Sequence, residues 1–306
     1  CIEGESPQAK RMKQEVLKMA DSPTSALILG EKGLEKEKVV RAIHEESKRK
    51  DQLFLIINCE VDNQEHLEKE LFGIAGERNS RGKVGRLEAA SKGTVVLEDV
   101  EKLSQELQRK IWEFLETGTF IRRGGTKKYK AGTRLLFTSS ADLAKAAEEG
   151  KFLYSLYYRI STLLLRVPAL RERQGDIHYF AQKYLQQYAD KMKKEIHTIS
   201  PEVYHCVDIY SWPGNLWEIR SAMEYAVNMM QLDGQITMEE LPERIRLEAE
   251  EKEEENLNLA EMEKHMIEKA ISRYGKGTAD KKKVAEVLGI GVATLYRKIK
   301  KYGIEG

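Results

Sequence analysis

Two short stretches hold side chains whose types and spacing suit phosphate chemistry. Gly30-Glu-Lys-Gly-Leu-Glu-Lys-Glu37 follows an apolar run and opens a helical pattern. That is the position of a phosphate-binding loop of the form G-x-x-x-x-G-K-[ST]. In such a loop the glycines let backbone N–H groups close around phosphate oxygens, and the lysine reaches the terminal phosphates. Gly30, Gly33 and Lys36 are in place, but the second required glycine is Glu35 and the Ser/Thr position is Glu37. Glu35 sets a side chain and a negative charge where backbone should approach an anion. Taken alone, the stretch reads equally well as a charged helix start. The second stretch, Gly93-Thr-Val-Val-Leu-Glu-Asp99, ends an apolar run with two adjacent carboxylates. A Walker B element has an aspartate for magnesium and then a glutamate that polarises water. Here the order is Glu98 then Asp99, so each carboxylate is displaced by about one methylene, and near-attack geometry tolerates little of that.

The elements that must position these groups alternate. Short apolar runs at Ser25–Leu29, Phe54–Ile57, Thr94–Leu97, Arg134–Phe137 and Leu163–Val167 read as buried strands. Helical patterns fall at about Glu35–Arg49 and Ser104–Gly118. Buried strands alternating with helices predict an α/β fold with a parallel sheet covered on both faces. After Pro168 no further strands are expected; Asp176–Lys194, Ser200–Ile209 and Asn215–Met230 read as helices, the second with Ser200-Pro201 at its first turn. The expected organisation is an α/β subdomain over 1–168, a helical lid over 169–245, an acidic linker over 246–256, and a last all-α unit over 257–306.

The chain has 306 residues, 33% of them charged and 41% hydrophobic. That length favours more than one domain, and the apolar share suffices for a core. No run approaches the ~18 apolar residues of a membrane span, and no basic-then-apolar leader is present. Cys1, Cys59 and Cys206 are three cysteines without metal spacing, which argues against a disulfide framework or a zinc site and suits a cytoplasmic setting. The six histidines are scattered, so no metal site is expected. Cys1 stands where a methionine would begin a whole protein, so a fragment is expected. The net charge of +1 hides an asymmetry. Arg246–Asn256 has six Glu against two cations, and Gly275–Gly303 has eight Lys or Arg against Asp280 and Glu286. A basic end behind an acidic joint suits a nucleic-acid binder, or else a solvated charged helix.

The order of further segments identifies a resemblance. Gly4-Glu-Ser-Pro7, Gly30-Glu-Lys-Gly33, Asn58-Cys59, Glu70-Leu-Phe-Gly73, Gly85-Arg-Leu-Glu88, Leu156-Tyr-Tyr-Arg159, Pro168-Ala-Leu-Arg-Glu-Arg173 and Trp212-Pro-Gly-Asn215 occur in sequence. Over about residues 2–242 the chain resembles the AAA+ domain of bacterial enhancer-binding proteins, the nitrogen-regulator type activators of sigma-54 RNA polymerase. Its end resembles their Fis-type helix-turn-helix. The resemblance implies a ring-forming ATPase that remodels the polymerase holoenzyme, usually behind a receiver or sensor domain. Several positions depart from that pattern. The family's G-A-F-T-G-A loop, which contacts sigma-54, corresponds to Ile74–Val84, which is shorter and has no aromatic residue. The sensor asparagine corresponds to Ser140. Of two finger-like arginines one position is Leu153, leaving Arg159. The lid arginine corresponds to Trp217, with Arg220 one helical turn later as a replacement. A finger arginine alone is worth ~10³–10⁵ in rate, so these changes together predict inefficient ATP turnover.

At the end of the chain, Leu257–Tyr274 has a helical apolar stripe, Lys282–Leu288 reads as a second helix, and Gly291–Lys301 as a third. Gly289-Ile290 forms the turn between the last two, with glycine suited to a positive φ. Val284, Ala285, Leu288, Ile290, Leu295 and Ile299 form the expected core of a helix-turn-helix; Tyr296 is expected in that core, the alternative being a cap on the phosphate contact. Ala293, Thr294, Arg297 and Lys298 are left outward on the third helix, and Arg297, Lys298, Lys300 and Lys301 suit phosphate contact. Gly291 and Val292 replace the Ser and Arg common in the family, so Ala293 and Thr294 are the candidates for thymine-methyl contact. The resemblance to Fis-type modules implies that two copies pair through the first of these helices. Leu156-Tyr-Tyr158 suits core or a contact between protomers.

The sequence reading is a DNA-binding transcription regulator, a homodimer or higher oligomer in the cytoplasm, with double-stranded DNA and RNA polymerase holoenzyme as partners and no membrane. It is expected to act without sigma-54 remodelling, as a repressor or through a sigma-70 holoenzyme. No cofactor is required; ATP or ADP binding at the loop stays open. Some relatives of this kind answer to cyclic di-GMP and control biofilm or flagellar genes, so that effector stays open too. Two rivals stand beside it. One is an active ATPase using Lys36, Glu98, Asp99 and Arg159; the other is a non-hydrolysing subunit of a mixed ring.

Overall fold

The computed structural model describes residues 2–76, 82–231, 233–257, 259–275, 277–302 and 304. The chain divides into two compact units. One comprises residues 1–198 and 211–235, the other 199–210 and 236–306.

The first unit opens with α1 (Pro7–Asp21), β1 (Ala26–Leu29), α2 (Lys36–Glu45), β2 (Phe54–Asn58) and α3 (Gln64–Phe72). The short pair β3 (Gly73–Ile74) and β4 (Lys83–Val84) follows, then α4 (Arg86–Ala89), β5 (Thr94–Glu98) and α5 (Gln105–Thr117). Next come the hairpin β6 (Thr119–Ile121) and β7 (Lys128–Lys130), β8 (Arg134–Ser139), α6 (Leu143–Glu148), α7 (Tyr154–Ile160), β9 (Leu164–Arg166) and α8 (Gln174–Met192). Five strands form a parallel sheet in the order β2-β5-β8-β1-β9. Leu27, Val95, Leu97, Leu135 and Phe137 point to one core, and Ile28, Val96, Leu136 and Leu165 to another on the opposite face. Both faces are therefore covered, as the uninterrupted apolar runs require.

All five expected strands are present, within a residue or two of their expected ends. The expectation that strands stop after Pro168 needs correction: two-residue strands β10 (Thr198–Ile199) and β11 (Gln235–Ile236) lie where the chain passes between units. Helices α9 (Pro201–Ile209) and α10 (Asn215–Met229) match their expected spans. The acidic stretch expected as a linker lies within a helix, α11 (Glu243–Leu257).

The second unit ends in α12 (Leu259–Tyr274), α13 (Thr278–Val287) and α14 (Val292–Tyr302). Ile267, Ala270, Ile271, Val284, Ala285, Leu295 and Ile299 form its buried core, with Leu288 and Ile290 packed against it. Gly289 turns the chain at φ +66° with open space where a Cβ would lie. Among the described residues no helix is long and apolar enough to cross a membrane.

Candidate functional site

Parallel pairing brings the carboxyl ends of β2, β5, β8 and β1 to one edge, where open α/β sheets bind ligands. Asn58 ends β2, Glu98 ends β5, Thr138 lies at the end of β8, and the Gly30–Glu35 loop joins β1 to α2. These converge on a pocket of about 410 Å³, lined also by Lys32, Lys36, Glu37, Asp99, Ser140 and Trp217. The loop and the carboxylate pair, separated by some sixty residues of sequence, thus share one site.

Two backbone features shape the loop. Gly33 has φ +82°, and a Cβ there would lie 2.1 Å from the Gly214 carbonyl oxygen. Glu35 takes φ 50°, a left-handed conformation, at the residue before α2. That conformation suits glycine and costs other residues about 1–2 kcal/mol. The Glu35 carboxylate pairs with Lys38 at 2.7 Å.

Lys36 folds back onto its own loop. Its Nζ donates to the carbonyls of Gly30 at 2.8 Å and Glu31 at 3.3 Å, and to Ser140 Oγ at 2.7 Å. Burial lowers its pKa, opposed by the charges of Asp99, Glu101 and Glu98. Burial raises the Glu98 pKa, with Glu37 and Asp99 adding to the shift and Lys36 opposing it. Asp99 is raised by burial and by Glu101, again against Lys36. Glu101 was missed in the sequence, although a third carboxylate three residues past Glu98 was a visible signal. Its Oε1 accepts from the Ser140 N–H at 3.1 Å, while Oε2 is buried without a hydrogen-bond partner.

The lining has more carboxylates than cations, and Lys36 is already engaged. The three donors of Lys36 are committed to protein oxygens. Lys32, Lys36 and Lys38 face Glu35, Glu37, Glu60, Glu98 and Asp99 around the pocket.

The lid grips the loop through Asn215 and Arg171, which the sequence shows only as parts of the family segments. Asn215 is fully buried at φ 51°. Its Nδ2 donates to Glu31 Oε2 and to the Lys32 carbonyl, both at 3.0 Å, and its Oδ1 accepts from the Leu170 N–H at 2.9 Å. Arg171 makes a two-pronged pair with the Glu31 carboxylate. Arg220 does not line the pocket, contrary to its proposed replacement role: its Nε donates to the Tyr188 hydroxyl at 2.9 Å. Trp217, 63% exposed, faces the pocket instead. Arg159 also lies outside the pocket lining, pairing with Glu116 at 2.8 Å and donating to the Leu115 carbonyl at 3.1 Å. The Leu156–Tyr158 stretch divides: Leu156 is buried, while Tyr158 is 65% exposed and stacks on Tyr154.

In the helical end, Ala293, Arg297, Lys300 and Lys301 are exposed and Thr294 is half-buried. Lys298 differs from expectation: it is half-buried and ion-paired with Glu263, which also accepts from the Tyr302 hydroxyl at 2.6 Å. Tyr296 is corrected from core to surface, 41% exposed, with the Lys281 ammonium 5.3 Å from its ring centre. The five residues 77–81 of the stretch aligned with the G-A-F-T-G-A loop lie outside the described residues.

Residues 2–166 match the model of the sigma-54 interaction domain. The chain belongs to that family. Residues 171–258 match an AAA+ ATPase lid domain, and residues 258–302 match the bacterial regulatory proteins of the Fis family. Two relatives of this sigma-54 interaction chain are the transcriptional regulator UacR of Escherichia coli K12 and the HTH-type transcriptional regulatory protein TyrR of Haemophilus influenzae. UacR is 35% identical over 98% of the chain and 53% of its own length. TyrR is 32% identical over 94% of the chain and 89% of its own length. The chain spans about half the length of UacR and of a signal-transduction and transcriptional-control protein from Clostridium beijerinckii, 53% and 49%. The crystal structure of NtrX from Brucella abortus in complex with ATP is similar at a TM-score of 0.72 and 30% identity, covering 99% of this chain and 69% of that one.

Proposed function

We propose that this sigma-54 interaction chain regulates transcription by binding DNA through its Fis-type end, and that its phosphate-loop site does not turn ATP over efficiently. The observation that supports it most is the loop itself. Glu35 occupies the left-handed position that suits glycine, and Lys36 is held by Gly30, Glu31 and Ser140. The swapped Glu98 and Asp99, and the stretch at 74–84 without an aromatic residue, point the same way; remodelling of a sigma-54 holoenzyme is not expected. Arg297, Lys300 and Lys301, exposed on α14, are the proposed phosphate contacts, with Ala293 and Thr294 nearest a base edge.

A second reading, an active ATPase, has one observation in its favour: Lys36, Glu98, Asp99 and Ser140 share a single pocket. Phosphate release with ATP and magnesium separates the two. Background release from the native chain, increased at least ~10-fold by Glu35→Gly, supports the proposal. Native release abolished by Lys36→Ala supports the ATPase. Titration with duplex DNA, where Arg297→Ala weakens binding, tests the other half.

A further inference from the structure

The β6–β7 hairpin belongs to a stretch of unusual charge. Between Glu116 and Asp142 the chain has six Lys or Arg and no acidic residue. Two of the six are neutralised where the hairpin joins the body: Arg122 makes a two-pronged pair with Glu88, and Arg123 pairs with Glu65 and Glu68. The acids that could have balanced the tip are therefore engaged at its base. Arg134 is buried and donates to the carbonyls of Met19, Ala20 and Thr24.

Lys127, Lys128 and Lys130 remain. All three are exposed, and none forms an ion pair with a described residue. The strand presents two of them by alternation. Tyr129 turns inward, stacked on Phe120 at 5.9 Å with the Arg122 guanidinium over its ring, so Lys128 and Lys130 share the opposite face. The neighbouring β3–β4 pair extends the same edge. Ala75 N–H donates to the Arg123 carbonyl at 2.9 Å, and Arg123 N–H to the Gly73 carbonyl at 3.0 Å. Lys83, opposite Ile74 in that pair, is exposed and likewise without an acidic partner among the described residues.

We infer that this lysine edge is a second DNA contact, sequence-independent and made to phosphates. The inference rests on the reading that the chain binds DNA. Lysine is a point charge without the planar fork that reads bases, and it suits an evenly charged backbone. An acidic protein segment is the alternative partner; the exposed charge of the edge is all lysine, with Arg122 and Arg123 both ion-paired, and that favours DNA over it even though Ile121 and Val84 are exposed beside the lysines.

The test uses the whole chain and a duplex of arbitrary sequence, with affinity measured against salt concentration. Lys127→Gln/Lys128→Gln/Lys130→Gln should flatten the slope of log affinity against log salt by about 0.9 for each phosphate no longer neutralised. The matching three-arginine variant should keep the native slope. An unchanged slope in the glutamine variant overturns the inference, as does an effect that emerges only when polymerase is added. Arg297→Ala/Lys300→Ala, run in parallel, keeps the two readings apart. If it leaves DNA affinity intact, the Fis-type reading fails, whereas an unchanged slope in the hairpin variant alone sinks only the hairpin contact.

Discussion

Two carboxylate sites in the first unit have opposite fates. Asp176 is fully buried, and it accepts from the N–H groups of Glu5 at 2.7 Å and Ser6 at 2.8 Å, from Ser6 Oγ at 2.6 Å, and from Arg173 Nε at 2.8 Å. Burial works to raise its pKa, yet the Ser6 and Glu5 hydrogen bonds and the Arg173 charge hold it below the usual aspartate value. Glu98 and Asp99 are only half-buried, and both are pushed up. They have like charges for neighbours and one lysine whose donors point elsewhere. Donors, more than depth, decide whether a carboxylate stays ionised. The first site ties two distant segments together, and the second holds like charges with few donors between them.

The sharpest way to break this contrast is Asp176→Asn. It leaves Arg173, 3% exposed, as a buried charge without its partner, and is expected to cost about 3–5 kcal/mol in urea denaturation. A loss below about 1 kcal/mol would mean that the two sites differ little in energy. Because the folded pKa of Asp176 is depressed, its contribution is present above the unfolded carboxylate range, about pH 4, and disappears as pH falls through the folded value. Next in size, Asn215→Ala strands the Leu170 N–H and should cost roughly 1–3 kcal/mol. Gly33→Ala forces both a left-handed alanine and a clash with Gly214, with a cost of roughly 1–3 kcal/mol or more.

Smaller and opposite in sign is Glu98→Gln. A raised folded pKa means that ionisation on raising the pH works against the fold, so removing the charge should stabilise at neutral pH by up to roughly 0.5 kcal/mol. The gain should vanish below about pH 4, where the native glutamate is already protonated. Thermal midpoints of both proteins across that range check it. Smallest is Lys298→Ala, which removes a partly exposed pair with Glu263 and should leave the thermal midpoint nearly unchanged.

The sheet was legible because each of its strands is a largely apolar run, and the lid helices because of their periodicity, with Ser200-Pro201 marking the start of α9. Helix α1 was not read, since its buried Ala9, Met12, Val16 and Met19 are diluted by polar residues. The hairpin was missed because three-residue strands leave too little alternation to detect. At the site, Lys36, Glu98 and Asp99 announced themselves by motif. Asn215 did not: its importance lies in contacts to Glu31 and Lys32, more than 180 residues away. Lys298 and Tyr296 were placed by helical spacing alone, which gives a direction but not the neighbour. Glu263 draws Lys298 toward the body, and Tyr296 is left outside.

The capture of Ser6 by Asp176 joins positions 170 residues apart. A contact of that separation contributes to the fold only after the whole sheet between has been ordered, so it forms late and weighs on the folding rate. During synthesis the Gly4–Ser6 segment leaves the ribosome long before its acceptor exists. It waits, unpaired, until α8 has emerged, and native-state hydrogen exchange should show the Glu5 and Ser6 amides opening before those of β1 and β8.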